Sequence, residues 1–124
     1  MMIAYLRSMF ATPESQSDPY AWSATFAGHA WIAFGPWGLI ALAWNTWTAT
    51  LVTPLLYLIF WEGAQFYFAT NRTRALFWDC ILDAVAFAFA CCAAAFLADR
   101  MLVETVACWC ASVGVMIVGW RKRV

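Results

Sequence analysis

The chain has 124 residues, of which 65% are hydrophobic and 11% charged, and its seven basic and seven acidic residues leave no net charge. A soluble domain carries about 25% charged residues, so this composition excludes an ordinary soluble enzyme or binding module. The basic residues form no aromatic-interleaved stripe, which leaves no nucleic-acid partner.

Residues 1–19 stand apart from the rest. Met1 to Phe10 is apolar but lacks the basic n-region and small-residue cleavage site of a secretory signal. It is expected to lie at the interface as a short helix with Arg7 in water, followed by the polar linker Ala11 to Pro19. Asp18-Pro19 reads as an N-cap and a first helical position, which sets the start of a transmembrane domain over 20–124. Crossing ~30 Å of hydrocarbon takes about 20 residues of helix. Apolar runs of that length occur at Tyr20 to Trp44, Leu51 to Thr70, Ala75 to Ala98 and Met101 to Trp120. The short alternating pattern of a membrane barrel is missing. The predicted fold is therefore all-α: a polytopic four-helix transmembrane bundle with an N-terminal interfacial helix. Gly35-Pro36 is expected to kink the first span. Trp22, Trp44, Trp47, Trp78 and Trp120 fall near its interfaces as an aromatic belt.

Between the spans, Asn45 to Thr50 is an uncharged connection, Asn71-Arg72-Thr73-Arg74 a basic one and Asp99-Arg100 a tight hairpin. Alternate assignment to two sides gathers Arg7, Arg72, Arg74, Arg121, Lys122 and Arg123 on one side and leaves Arg100 alone on the other. The positive-inside rule then makes both termini cytoplasmic, as an even number of spans requires. The expected location is a bacterial inner membrane.

Four ionisable groups, His29, Glu62, Asp79 and Asp83, lie inside the apolar runs. Each costs several kcal/mol in hydrocarbon, so such groups are usually kept for function. At 1.5 Å per residue, His29, Glu62 and Asp83 come roughly 12 Å from the cytoplasmic ends of their spans, with Asp79 one turn nearer. Asp79 and Asp83, at i and i+4, share a helix face. Ala86, Ala90 and Ala93 or Ala94 continue it as a stripe of small residues that lets helices approach closely. Glu62 and Gln65 share a face of the second span.

Three carboxylates in one low-dielectric layer cannot all be ionised without compensation. Protons, a divalent cation, His29 as imidazolium, or Arg72 and Arg74 folding back are the candidates. One His with the carboxylates of Glu62, Asp79 and Asp83 suits Mn, Fe, Zn or Mg better than copper, although no His-x-x-x-His or Glu-x-x-His motif is present. Arg72 and Arg74 beside the layer match phosphate geometry; topology alone also requires arginines there. The bland readings are a hydrogen-bonded packing role for His29 and an interhelical bond between protonated acids at Glu62 and Asp83. Cys80, Cys91, Cys92, Cys108 and Cys110 form no Cys-x-x-Cys pair and read as small hydrophobes.

The run Glu62-Gly63-Ala64-Gln65-Phe66, then Arg74, Asp79 and Asp83, preceded by a His in the first span, resembles VanZ-like membrane proteins. Those carry Glu-x-x-Gln-aromatic followed by Arg, Asp and, four residues on, usually Asn, where this chain has Asp83. Ala86 stands where Gly is common, and the Gln65 to Arg74 stretch is a residue or two longer. The resemblance covers Leu55 to about Ala94 plus His29. It implies a small helical membrane protein linked to cell-envelope or glycopeptide-antibiotic phenotypes, with no settled reaction to carry over.

No glycine-rich phosphate loop and no Ser-His-Asp set occurs in the sequence, so nucleophilic catalysis is not expected, while acid/base or metal-assisted chemistry on a head group stays open. Three functions remain. One is a VanZ-like envelope protein whose polar site, His29, Glu62, Gln65, Arg72, Arg74, Asp79 and Asp83, binds or acts on a lipid-linked phosphate. The others are a proton or cation relay, and a holin-like or accessory subunit docked to other membrane proteins.

Overall fold

The computed structural model describes residues 17–69 and 71–124, which are all-helical, with no strand among them. The interfacial helix expected at Met1 to Phe10 and most of its linker lie outside the described residues, as does Thr70.

Helix α1 (Pro19–Ile32) begins as the sequence predicts: Asp18 Oδ1 accepts the N–H groups of Tyr20 at 2.8 Å and Ala21 at 3.3 Å, and Pro19 occupies the first helical position. Helix α2 (Phe34–Ala43) follows after the single residue Ala33. Pro36 has no N–H for the Ile32 carbonyl, so the ladder is interrupted where Gly35-Pro36 was expected to kink it. The Trp37 N–H to Ala33 O bond, 3.1 Å, carries the helix past the break.

Helix α3 (Thr46–Leu56) corrects the sequence reading, which placed an uncharged connection at Asn45 to Thr50. Asn45 caps the helix by accepting the Thr48 N–H at 2.8 Å, so the helix starts five residues before Leu51 and the connection shrinks to Trp44-Asn45. The β-branched Thr46, Thr48 and Thr50 disguise it, since such residues are weak helix formers. Thr50 bends its hydroxyl back onto the ladder: its Oγ1 donates to Thr46 O at 2.8 Å and receives the Trp37 indole N–H at 3.0 Å, tying α2 to α3, while Thr48 Oγ1 accepts from the capping Asn45 Nδ2 at 2.9 Å. After Pro54 the helix widens into a π turn at Tyr57–Glu62, closed by an i to i+5 bond from Gly63 N–H to Leu58 O, before α4 (Gly63–Phe68) resumes the α ladder.

Helix α5 (Arg74–Ala98), capped by Thr73 Oγ1 on the Leu76 N–H at 3.1 Å, is the centre of the molecule. Its predicted stripe is buried: Ala86, Ala90, Ala93 and Ala94 lie among α1, α3 and α6, together with Phe87 and Cys91. Small side chains allow that many neighbours to come close. The helix ends in a Schellman turn, Met101 N–H to Phe96 O at 2.8 Å and Arg100 N–H to Leu97 O at 3.1 Å, with Arg100 in the left-handed region at φ 61°. Helix α6 (Leu102–Arg121) then runs back alongside α5.

The start of α1 meets the end of α6. Tyr20 packs edge-on against Trp120 with centroids 4.5 Å apart, and the Trp22 ring lies so close to Gly119 that any Cβ there would overlap it. Trp22 is thus a core residue, 3% exposed, rather than the interfacial anchor its position predicts. Trp44, Trp47 and Trp78 are exposed as a belt requires. Arg72, Arg74, Arg121, Lys122 and Arg123 fall at one end of the molecule and Arg100 at the other.

Among the described residues, three helical stretches are long and apolar enough to cross a membrane: Pro19–Ala43, which is α1 with α2, Arg74–Ala98 and Leu102–Arg121. The second predicted span, Leu51 to Thr70, is covered by the succession α3, π turn and α4. Large apolar side chains point outward over much of the surface, with Leu42 88% exposed and Val103 80%. In water such a surface would aggregate.

Candidate functional site

Three elements converge on one buried polar cluster. His29 comes from α1, Glu62 from the π turn and Asp83 from α5, and one ligating atom of each lies within 4.8 Å of the others. His29 Nδ1 stands 3.3 Å from Asp83 Oδ2. Glu62 is 1% exposed and Asp83 7%. The common layer expected for these three residues is thus present as a contact cluster.

Glu62 owes its orientation to the irregular helix. Residues five apart on an α-helix point about 140° away from each other, whereas a π turn brings i and i+5 together. Tyr57 and Glu62 are such a pair, and the Tyr57 hydroxyl donates to Glu62 Oε1. The Tyr57 ring is held in turn by stacking on Phe87, centroids 4.1 Å and planes 14° apart, and lies 5.5 Å from the His29 ring. The Cys80 thiol sits beside Glu62 from the facing side of α5. Glu62 Oε2 and Asp83 Oδ1 are buried without a hydrogen-bond partner among the described residues.

The remaining sequence candidates are placed elsewhere. Asp79, one turn along α5, is ion-paired with Arg123, which also donates to Gly119 O at 3.0 Å and lies 4.3 Å over the Trp22 ring. Arg72 donates to the Tyr67 carbonyl at 2.6 Å and covers the Tyr67 ring at 5.4 Å. Arg74 is exposed at the start of α5, and Gln65 is half-buried on α4 without joining the cluster. Arg72 and Arg74, one of the candidate compensations for the acids, therefore do not fold back onto them. Arg123, read in the sequence only as a topology signal, compensates one acid instead.

Tyr57, Cys80 and Arg123 escaped the sequence reading. Tyr57 has no α-helical register with Glu62, and only Pro54 three residues earlier marks the local irregularity. A contact between Asp79 and Arg123 spans 44 positions and leaves no local pattern.

Beside the cluster a cavity of about 310 Å³ opens between α1–α2 and α3 with its π turn. His29 and Tyr57 form its polar end; Ile32, Ile40, Leu56 and Phe60 are among its apolar walls. Chemically, the arrangement offers two carboxylates, an imidazole and a phenol to a cation, a proton or a polar head, with hydrocarbon-lined space alongside. The chain matches no known family model, no curated protein and no solved structure.

Proposed function

We propose that this is an integral membrane protein that binds a membrane lipid, with the lipid's polar end at His29, Glu62 and Asp83 and its chain in the adjoining cavity. In this reading the succession α3, π turn and α4, 23 residues from Thr46 to Phe68, crosses the membrane with the other three helices. At 1.5 Å per residue it is long enough for ~30 Å of hydrocarbon. The bundle then has four spans, and the basic end, with both termini, faces the cytoplasm of a bacterial inner membrane. An envelope role of the kind found in VanZ-like proteins fits such a lipid site.

The cavity carries the proposal. Its walls are mostly apolar with His29, Tyr57 and Thr53 as polar points, which is the chemistry of a lipid site, and His29 and Tyr57 join it to a cluster whose buried carboxylate oxygens have no hydrogen-bond partner among the described residues. The test is mass spectrometry of lipid retained by the detergent-purified protein. Wild type is expected to keep a defined lipid, and Ile40→Trp, which fills the cavity from α2, to lose it at unchanged helicity. Retention of the same lipid by Ile40→Trp, or no enrichment over bulk membrane lipid, overturns the reading.

A further inference from the structure

We infer that His29, Glu62 and Asp83 bind one divalent first-row transition-metal ion of the Mn, Fe or Zn class, with a free coordination position turned to the cavity. The inference deepens the lipid reading and rests on it for the ion's role, though not for its binding.

Geometry is the first support. Nitrogen and oxygen ligands about 2.0–2.2 Å from a metal stand about 3.0–3.5 Å from one another. His29 Nδ1 and Asp83 Oδ2 already have that spacing, at 3.3 Å, and the third ligating atom lies within 4.8 Å.

Unmet demand is the second. Glu62 is 1% exposed, and its Oε2 has no hydrogen-bond partner among the described residues, while the other oxygen is engaged by Tyr57 and the Cys80 thiol lies beside the group. Asp83 Oδ1 is likewise buried and unpartnered. A hydroxyl that fixes one oxygen of a carboxylate and leaves the other unengaged is the usual outer support of a metal ligand.

Charge is the third. Two carboxylates and a neutral imidazole sum to −2, which one divalent ion cancels in a layer where uncompensated charge is costly. Arg123, just past the end of α6, is already paired with Asp79, and Arg72 is engaged with Tyr67. That pairing also removes Asp79 from the ligand set that the sequence implied. Imidazole with carboxylates suits Mn, Fe and Zn, whereas Mg prefers all-oxygen octahedra and copper(I) prefers thiolate. An ion here also answers a difficulty of the lipid reading, because a phosphate head would otherwise face two acids with no arginine paired to them among the described residues.

Detergent-purified protein stripped with a chelator and titrated with Co²⁺, read by visible absorption, tests the site. One equivalent is expected to bind. Glu62→Gln and Asp83→Asn should each weaken binding by about tenfold or more, and Asp79→Asn should leave it within about twofold. Zn²⁺ is expected to raise the melting midpoint of the wild type and the chelator to lower it, a readout that needs no variant to fold. No saturable Co²⁺ spectrum and no chelator-sensitive melting, or equal Co²⁺ binding by correctly folded Glu62→Gln and Asp83→Asn, overturns the inference. Lipid retained by the stripped protein with no metal uptake sinks the ion and spares the lipid reading; metal uptake without retained lipid does the reverse.

Discussion

At the scale of single residues, the pocket depends on groups that satisfy one another in pairs. Tyr57 gives its hydroxyl to Glu62 and its ring to Phe87. Tyr57→Phe keeps the stacking and strands a second buried carboxylate oxygen, so it is expected to lower stability by about 1 kcal/mol or more. Reversible unfolding in mixed micelles measures the change. Equal stability of Tyr57→Phe and wild type would mean that the Glu62 oxygen finds another donor. The four ionisable groups within apolar runs were legible in the sequence because polar residues are conspicuous there. Their partners were not, since Tyr57 and Cys80 look like ordinary membrane residues and Arg123 like an ordinary cytoplasmic anchor.

At the scale of elements, caps and breaks decide where each helix starts and stops. Asp18-Pro19 announced α1 in the sequence because cap and first turn are local in the chain. Asn45 performs the same task for α3, yet the run of Thr residues behind it concealed the helix. The hairpin after α5 was legible as a turn, but its left-handed residue is the arginine of Asp99-Arg100 where glycine is usual. A Cβ in that conformation costs roughly 1 kcal/mol. Arg100→Gly is accordingly expected to stabilise the protein by up to about 1 kcal/mol, seen as a higher melting midpoint in detergent. A lower midpoint would show that the Arg100 side chain contributes more than its backbone costs.

At the scale of the whole molecule, charge and hydrophobicity were the most readable features and long-range packing the least. The basic residues around α5's start and α6's end lie at one pole, and the alanine face of α5 is buried as its spacing implied. The Trp22–Gly119 contact, which locks the first helix to the last, could not be read, because a glycine late in one helix and a tryptophan early in another share no sequence pattern. If the basic pole faces the cytoplasm, a cysteine placed at Val124 in a background with the native cysteines replaced by alanine should escape a membrane-impermeant thiol reagent in spheroplasts. One placed at Arg100 should react. The opposite pattern would invert the bundle.

The widened segment Tyr57–Glu62 makes the count of residues there matter more than their identity. A π turn holds one residue more than the α turn it replaces, so residues five apart meet there as residues four apart do elsewhere. Deleting one between Leu58 and Trp61 would return the segment to the α ladder, with the carboxylate four places after Tyr57 and the Gly63 to Leu58 bond gone. A gap of a single position, which would swing a regular helix by about 100°, would here be absorbed where the turn is wide.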